Sequence, residues 1–212
     1  MNQILFPDPE LADDDGLLAF GGDLRPETLL QAYSSGIFPW SVKPISWWSP
    51  DPRAIFELDK FRPSTRMARL YRSGRFSFSI DKNFEEVMHG CARPAPGRET
   101  TWISPEFIRA YSRMHELGYA HSVEVWSGGK LAGGIYGVAI GGVFAGESMF
   151  TVVSNASTMG LIFLINHLNS QGFKLFDSQV LTPHTSRLGA VEISRAQYLT
   201  RLKAGIICKC KF

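Results

Sequence analysis

The chain has 212 residues, of which 44% are hydrophobic and 20% are charged, with a formal net charge of +2. This length and composition can provide a substantial hydrophobic core, which excludes an intrinsically disordered protein. No apolar stretch reaches the ~18 residues of a membrane-spanning helix, and the acidic, proline-containing start MNQILFPDPELADDD is unlike a signal peptide. We therefore expect a protein of the cytoplasm that is not inserted in a membrane.

The first 55 residues are rich in proline and tryptophan. Seven prolines interrupt this region, so we expect no long helices or strands there. One short helix is predicted, because Pro26 suits a first turn and Gly36 suits the position after a helix end. We predict a small, loop-rich N-terminal domain over residues 1–55. Its tryptophans either pin the loops together or stack on nucleic-acid bases, which stabilises binding by ~1 to 3 kcal/mol per base.

Charge is distributed unevenly along the chain. Residues 1–59 contain ten acidic and three basic side chains, whereas residues 60–212 contain ten acidic and nineteen basic ones. Four arginines recur every three residues at the start of the basic part: Arg66, Arg69, Arg72 and Arg75. If Ser64 caps a helix there, these arginines form a ridge whose electric field attracts phosphate. The alternative is an ordinary solvated helix face.

From residue 76 onward the hydrophobic pattern becomes regular. A strand is predicted at 76–80 and a short helix near 83–90. Ser104 and Pro105 then begin a helix that Gly118 ends. Its apolar side consists of Phe107, Ile108, Tyr111 and Met114.

Glycine-containing turns and β-branched residues favour an antiparallel meander after this helix. Its strands are predicted at 120–126, 130–142 and 143–150. A helix over 155–171 and a strand over 174–180 follow, and the chain is predicted to end with a short helix near Lys203 and a strand over 205–210. Residues 56–212 are thus predicted to form an α+β domain whose sheet is compatible with an N-acyltransferase.

Two polar residues, Asp177 and Gln179, interrupt the apolar strand predicted at 174–180. Side chains two residues apart in a strand point to the same face, so this pair is predicted to share one surface. A buried carboxylate must be paired or hydrogen-bonded, because an unmatched one costs several kcal/mol. The pair is either a structural contact at a sheet end or part of a catalytic site.

Glu147 is an isolated acid in the segment FAGESMF, and the preceding acid in the chain is Glu124. Glycine beside it lets a backbone or a ligand approach closely. Glu147 is therefore either exposed at a bend of the sheet or a polar group of a site. Phe144, Met149 and Phe150 either line an apolar slot next to it or belong to the core.

Several common types of site are excluded by the sequence. Cys91, Cys208 and Cys210 cannot all pair with one another, and Cys208 with Cys210 alone is a poor zinc set, because zinc takes about four ligands. The histidines lack the spacing HExxH, so no metal is expected. The motifs GxSxG and GxxxxGK[ST] are also missing, which argues against a serine hydrolase and against nucleotide hydrolysis.

Five segments carry a family resemblance: GLLAFGGDLRPETLLQAYSSGIFPW, WWSPDPRAIF, TWIS, GGVFAGESMF and FDSQVLTPHTSRLGAVEI. Together, and in this order along the chain, they resemble the leucyl/phenylalanyl-tRNA–protein transferase family. The resemblance implies transfer of Leu or Phe, and less well Met, from aminoacyl-tRNA to the α-amino group of proteins beginning with Arg or Lys. This transfer marks those proteins for N-end rule degradation. The implied fold is a small N-terminal domain followed, over residues 56–212, by a GNAT-like domain with a mixed β-sheet flanked by helices.

The resemblance also implies roles for individual residues. Asp177 and Gln179 match the catalytic pair, and Glu147 matches an acidic residue of the site. The aromatic residues near the terminal adenosine are matched by Trp40 and Trp102, and the pocket for the Leu or Phe side chain by Phe144 and Met149. The arginine ridge, Arg66 to Arg75, falls where the family holds the acceptor stem. Ser178 and Ser194 depart from the family pattern, which usually has Cys and Pro there.

The chemistry that this resemblance implies needs no metal, ATP or other cofactor, because the aminoacyl ester is already activated. We hypothesise that Gln179 orients the amine, that Asp177 accepts its proton or stabilises positive charge, and that Glu147 helps to select a cationic acceptor. A CoA-dependent N-acyltransferase is a rival, but the segment TVVSNASTMG lacks a glycine-rich pyrophosphate loop. A non-catalytic RNA-binding module would leave Asp177 and Gln179 without a role. We expect a monomer.

Overall fold

The computed structural model describes residues 5–94 and 100–212. A small antiparallel sheet lies in the N-terminal region, with its strands in the order β1-β3-β2. Its elements are β1 (Leu17–Phe20), α1 (Pro26–Ser34), β2 (Phe38–Val42) and β3 (Ile45–Trp48). The prediction of a helix from Pro26 is confirmed, and it ends before Gly36, whose φ of 81° is left-handed. The short strands around this helix were not predicted.

A larger sheet has the strand order β10-β4-β9-β8-β7-β6-β5. Its strands are β4 (Arg53–Phe56), β5 (Ser77–Ile80), β6 (Ala120–Ser127), β7 (Lys130–Ile140), β8 (Val143–Thr151), β9 (Leu175–Gln179) and β10 (Val191–Ile193). The pair β8 and β9 is parallel and the other pairs are antiparallel, so the predictions of a mixed sheet and of the meander β6-β7-β8 are confirmed. Strand β4 spans the domain boundary predicted at residue 55, and that boundary stays a prediction.

Helices cover both faces of the large sheet. They are α2 (Thr65–Arg72), α3 (Phe84–Ala92), α4 (Pro105–Glu116), α5 (Ala156–Ser170), α6 (Pro183–Arg187) and α7 (Arg195–Ile206). The buried side chains of α5 pack with Ile135 of β7 on one face, whereas α1, α3 and α4 pack with Tyr136 on the other. Within the described residues, no helix combines the length and the apolar composition needed to cross a bilayer.

Local capping signals explain where several helices begin. The side chains of Ser64 and Ser104 each accept a hydrogen bond from the backbone N–H three residues later, so the helices predicted at these residues are confirmed. A reciprocal capping box at Ser194 and Gln197 starts α7. The strand predicted at 205–210 is wrong, because α7 continues to Ile206 and the following chain forms no strand.

A buried ion pair joins distant parts of this fold. Arg53 of β4 donates from Nε to Oδ1 of Asp177 (2.9 Å) and from Nη2 to Oδ2 (2.7 Å), and both side chains are 1% exposed. Arg53 Nη1 donates to the carbonyl oxygen of Gly36 after α1 (3.0 Å). The hydroxyl of Tyr198 on α7 donates to Asp177 Oδ2 (2.9 Å). The guanidinium lies 4.8 Å and 4.3 Å from the ring centroids of Phe38 and Tyr198. One side chain thus links two strands, the end of α1 and α7.

Removing one partner of this pair tests its contribution to stability. Arg53→Met should lower the free energy of unfolding by about 3 to 5 kcal/mol, because it leaves Asp177 charged, buried and without its main partner. The double variant Arg53→Met/Asp177→Leu should recover much of this loss, since neither charge remains. Urea unfolding measures both.

Arg201→Met is the matched control, because it breaks a half-exposed pair with Glu57 and should cost less than ~1 kcal/mol. Equal losses in Arg53→Met and Arg201→Met would contradict the role given to the buried pair.

Candidate active site

A pocket opens where β8 and β9 separate. These parallel strands pair at Val143–Leu175, Phe144–Phe176 and Ala145–Asp177 and then diverge. Each strand has an irregularity just beyond this point. Glu147 is an extra residue of β8 opposite Tyr136 and Gly137 of β7, and Ser178 is an extra residue of β9 opposite β4. Such bulges turn side chains away from the regular alternation, which here directs them into the gap between the strands.

Gly137 is required at the first bulge. A Cβ atom at this position would lie 2.2 Å from the carbonyl oxygen of Ala145 and 2.5 Å from the ring of Phe144. Any other residue would therefore push β8 away from β7 next to Glu147.

The pocket has a volume of about 210 Å³ and combines an apolar wall with a few polar groups. The apolar wall is formed by one side chain from each of four strands and one from α5. These side chains are Phe56 (β4), Ile135 (β7), Met149 (β8), Phe176 (β9) and Leu161 (α5). Trp40 and Trp102 supply aromatic surface, and Glu147 and Gln179 supply the polar groups that the hydrogen bonds below connect. Pockets that combine apolar walls with a few convergent polar groups are typical of ligand sites.

Glu147 is the strongly perturbed acid of this pocket. Its side chain accepts a hydrogen bond from Gln179 Nε2 at Oε1 (2.7 Å) and one from the Tyr111 hydroxyl at Oε2 (3.3 Å). The Tyr111 hydroxyl is in turn hydrogen-bonded to the hydroxyl of Tyr33. The pKa of Glu147 is raised to about 7, mainly by burial and also by the nearby charge of Asp177, while its hydrogen bonds oppose the shift. Glu147 can therefore take up or release a proton near neutral pH.

Gln179 reaches Glu147 because of its backbone conformation. Its φ of 63° lies in the left-handed region, which is unusual for a residue with a side chain. Its backbone N–H donates to Oδ1 of Asp177 (2.8 Å), which holds this conformation in place. The Arg53–Asp177 pair therefore supports the pocket from behind.

The prediction that Asp177 and Gln179 point to the same face is wrong. The bulge at Ser178 and the left-handed conformation of Gln179 break the alternation, so Gln179 and Ser178 line the pocket and Asp177 does not. The Asp177 carboxylate accepts hydrogen bonds from Arg53, Tyr198 and the Gln179 backbone and is 1% exposed. It has neither the access nor the free acceptor capacity to take a proton from a substrate.

The two residues matched to the side-chain pocket lie in different places. Met149 lines the pocket, whereas Phe144 is placed behind it, with its ring 5.3 Å from those of Phe176 and Phe212. Trp40 and Trp102 both line the pocket, from the N-terminal sheet and from the segment before α4. Of the supporting residues, Tyr111 was predicted only as part of an apolar helix side, and Arg53, Tyr33 and Tyr198 were not predicted to belong to the site.

The arginine ridge is exposed, as its charge requires. Arg66, Arg69 and Arg72 lie on α2, while Met67, Leu70 and Tyr71 pack against the core. Arg75 lies beyond the end of the helix, with its guanidinium 5.4 Å from the ring centroid of Phe76. In residues 5–94 and 100–212, no cluster of three or more His, Cys, Asp or Glu side chains could hold a metal ion.

The raised pKa of Glu147 predicts how stability depends on pH. Between the ordinary pKa of glutamate and about 7, the native protein binds more protons than the unfolded chain, so the free energy of unfolding falls as pH rises. The slope of this fall is at most ~1.4 kcal/mol per pH unit. Glu147→Gln removes the titrating group and should be more stable than the wild type above neutral pH. Urea unfolding from about pH 5 to 8 measures the difference.

Glu192→Gln, at an exposed position of β10, is the control and should keep the pH dependence of the wild type. If Glu147→Gln and the wild type have parallel profiles, the burial of an ionisable Glu147 is contradicted.

The chain is similar in sequence to proteins of one known family. The model of the family described as leucyl/phenylalanyl-tRNA protein transferase matches residues 55–203, and the model of its N-terminal domain matches residues 22–51. A leucyl/phenylalanyl-tRNA–protein transferase of Anaeromyxobacter sp. (strain Fw109-5) is 51% identical over 203 residues, which cover 94% of this chain and 86% of that protein. One of Shewanella sp. (strain W3-18-1) is 52% identical over 201 residues, which cover 93% and 85%.

Two solved structures resemble the chain distantly. L-PGS from Bacillus licheniformis is 14% identical, with a TM-score of 0.45 over 69% of this chain and 48% of that one. A GCN5-related N-acetyltransferase from Kribbella flavida is 12% identical, with a TM-score of 0.39 over 76% and 58%. The sequence matches, in contrast, cover most of the chain. The chain belongs to the leucyl/phenylalanyl-tRNA protein transferase family.

Proposed function

We propose that this protein transfers Leu or Phe, and less well Met, from aminoacyl-tRNA to the α-amino group of proteins that begin with Arg or Lys. The observation that carries the proposal is the Glu147–Gln179 pair at the apolar pocket. In the reaction, the amine nitrogen forms a bond to the acyl carbon and the ester bond to the terminal ribose breaks. The nitrogen loses a proton, and the ribose oxygen leaves as a hydroxyl after gaining one.

The donor fits the apolar part of the pocket. Leu161 and Phe176 are buried apolar side chains of its wall, and Met149 can adapt to side chains of different shape. A missing methylene is worth only ~1 to 3 kcal/mol in such a pocket, which predicts graded use of donors. Trp40 and Trp102 offer aromatic surface on which the terminal adenine can stack.

Glu147 replaces Asp177 as the proposed proton acceptor. An α-amine has an ordinary pKa of about 7.7 to 8, so a carboxylate with a pKa of about 7 is well matched to remove its proton near neutral pH. Gln179 does not titrate in this range, and its amide is placed to orient the amine beside Glu147. Asp177 acts as a positioning residue, because it fixes the backbone of Gln179.

The preference for an acceptor beginning with Arg or Lys follows from the negative charge of the pocket. Glu147 is a carboxylate that faces the pocket, and the negative charge of Asp177 is neutralised by Arg53. A cationic side chain beside an ionised Glu147 gains Coulomb energy in a partly desolvated site. We propose that the protein works as a monomer in the cytoplasm and that the transfer marks its acceptors for degradation.

The direct test is transfer of labelled Phe from Phe-tRNA to a peptide that begins with Arg. The wild type should acylate this peptide and leave an N-acetylated copy unmodified, because acetylation removes the nucleophile. Ala-tRNA should be a poor donor, since Ala leaves the apolar wall uncovered. Transfer from acyl-CoA to the same peptide, or tight RNA binding without any transfer, would contradict the proposal.

The pH dependence of the rate tests the role of Glu147. The kcat/KM for the acceptor peptide should rise with pH through an inflection near 7, because it reports the unliganded protein and Glu147 must be ionised to accept a proton. Glu147→Gln should lower kcat by about 10²-fold and remove this inflection. Glu192→Gln is the control and should retain both rate and profile. An unchanged inflection in Glu147→Gln would assign the titration to another group.

The arginine ridge is tested through the salt dependence of tRNA binding. Each phosphate contact adds about 0.9 to the slope of log K against log salt concentration for a duplex stem, so Arg66→Ala/Arg69→Ala should reduce that slope by up to about 1.8. Arg113→Ala, at an exposed position of α4, is the control and should leave the slope unchanged. Equal slopes in both variants and the wild type would remove the ridge from the tRNA interface.

A further inference from the structure

An open groove lies on the N-terminal sheet beside the pocket. Its volume is about 510 Å³, and it is lined by Asp15, Phe20, Trp40, Ser41, Ser46 and Trp48. Trp40 lines both the groove and the pocket, so the two are continuous around one indole ring. Apart from Trp40, the residues of this groove have no part in the reaction proposed above.

The strand register explains why aromatic side chains gather on this face. Phe20 of β1 is paired with Ser46 of β3, and Trp48 follows Ser46 by two residues and therefore points to the same side. An irregularity between β2 and β3 adds Trp40, whose ring lies 5.2 Å from that of Trp48. Phe20 is 64% exposed and Trp40 is 39% exposed. Exposed aromatic side chains that are grouped in this way are typical of binding surfaces.

The polar groups beneath these rings are already satisfied. Trp48 Nε1 donates to Ser46 Oγ (2.8 Å), and the hydroxyls of Ser41 and Ser46 are hydrogen-bonded to each other (2.7 Å). Ser41 Oγ also donates to the carbonyl oxygen of Pro44 (2.6 Å). The groove therefore offers aromatic surface and the carboxylate of Asp15 to a ligand, rather than unpaired hydroxyls.

A second depression, of opposite charge, also adjoins the pocket. It shares Leu161 with the pocket, includes Ser64 and Met67 at the start of α2, and contains Arg62 and Arg187. Its described lining residues include no acid, and those of the aromatic groove include no base. The pocket thus has an arginine-containing depression on the side of the ridge and an aspartate-containing groove on the side of Trp40.

The two substrates carry charges that match this division. The phosphates of a tRNA suit the depression with two arginines and are repelled by Asp15, which is preceded by the exposed Asp13 and Asp14. The acceptor has a cationic first residue, so the negative charge around Asp15 favours its approach to the pocket from this side. Extended peptides commonly bind in grooves lined by aromatic side chains, which contribute large contact area.

We infer that the groove lined by Phe20, Trp48 and Asp15 binds the acceptor polypeptide, through the residues that follow its N-terminal Arg or Lys. The inference rests on the proposed function, because it needs an acceptor whose amine reaches Glu147. The groove would recognise a second part of the acceptor, because the segment after the first residue contributes to affinity independently of the pocket. An acceptor with an exposed, extended N-terminal segment is therefore preferred over one whose first residues are folded.

Peptides of different length distinguish binding in the groove from binding in the pocket. The test compares an Arg dipeptide amide with a peptide of about eight residues that begins with Arg, since an extended chain covers ~3.3 Å per residue. In the wild type, the longer peptide should have the lower KM. Phe20→Ala and Asp15→Lys should each raise the KM of the longer peptide about tenfold, as expected for an interface hot spot, and leave kcat and the KM of the dipeptide unchanged. Tyr119→Ala, which removes an exposed aromatic ring elsewhere, is the control.

Direct binding of the longer peptide, followed by tryptophan fluorescence, gives a readout that does not need transfer. Weaker binding in Phe20→Ala and Asp15→Lys, but not in Tyr119→Ala, supports the groove even if the wild type transfers nothing, which would overturn the proposed function alone. Equal KM values for the two peptides in the wild type overturn the groove. It is also overturned if the Phe20 and Asp15 variants change the KM of aminoacyl-tRNA instead, since the face would then bind RNA.

Discussion

The buried pair of Arg53 and Asp177 is the interaction on which the site depends. Its two charges are 1% exposed, so each requires the other, and their remaining hydrogen bonds go to Gly36, Tyr198 and the backbone of Gln179. The pair thus fixes β4 against β9 and joins both to the end of α1 and to α7. Because Asp177 also holds the left-handed conformation of Gln179, the same interaction that joins these elements positions the amide in the pocket.

Glu147 shows how the fold exchanges stability for chemistry. Burial removes water from the Glu147 carboxylate, which is the main reason that its pKa is raised to about 7. The charged carboxylate therefore destabilises the native state. Hydrogen bonds from Gln179 and from Tyr111, which is itself bonded to Tyr33, limit the cost without removing it. An exposed glutamate would avoid the cost but would be a weak base near neutral pH. The desolvated position is therefore what makes Glu147 useful for proton transfer.

Sequence reasoning succeeded where the determining interactions are local. The caps at Ser64 and Ser104 and the glycine after α1 act within a few residues, so these helix ends could be predicted. The pairing of Arg53 with Asp177 spans 124 residues and has no local signal. The bulge at Ser178 follows from the pairing of β9 with β4, so simple alternation placed Asp177 on the wrong face. The strand predicted at 205–210 failed because Tyr198, Leu202 and Ile206 pack in one cluster at helical spacing, which continues α7 to Ile206.

The uneven charge of the chain corresponds to a division in space. The acidic N-terminal region forms the sheet that carries Asp15 and Trp40, and the basic part that follows forms α2 and contributes Arg62 and Arg187 near Leu161. The reacting ester and amine must meet between these two surfaces. Holding them in attack geometry can lower the activation barrier by ~7 to 11 kcal/mol, and the donor ester is already activated. The main requirement on the fold is therefore to bring a polyanion and a cationic peptide to Glu147 from separate directions, and opposite charges on either side of one pocket meet that requirement.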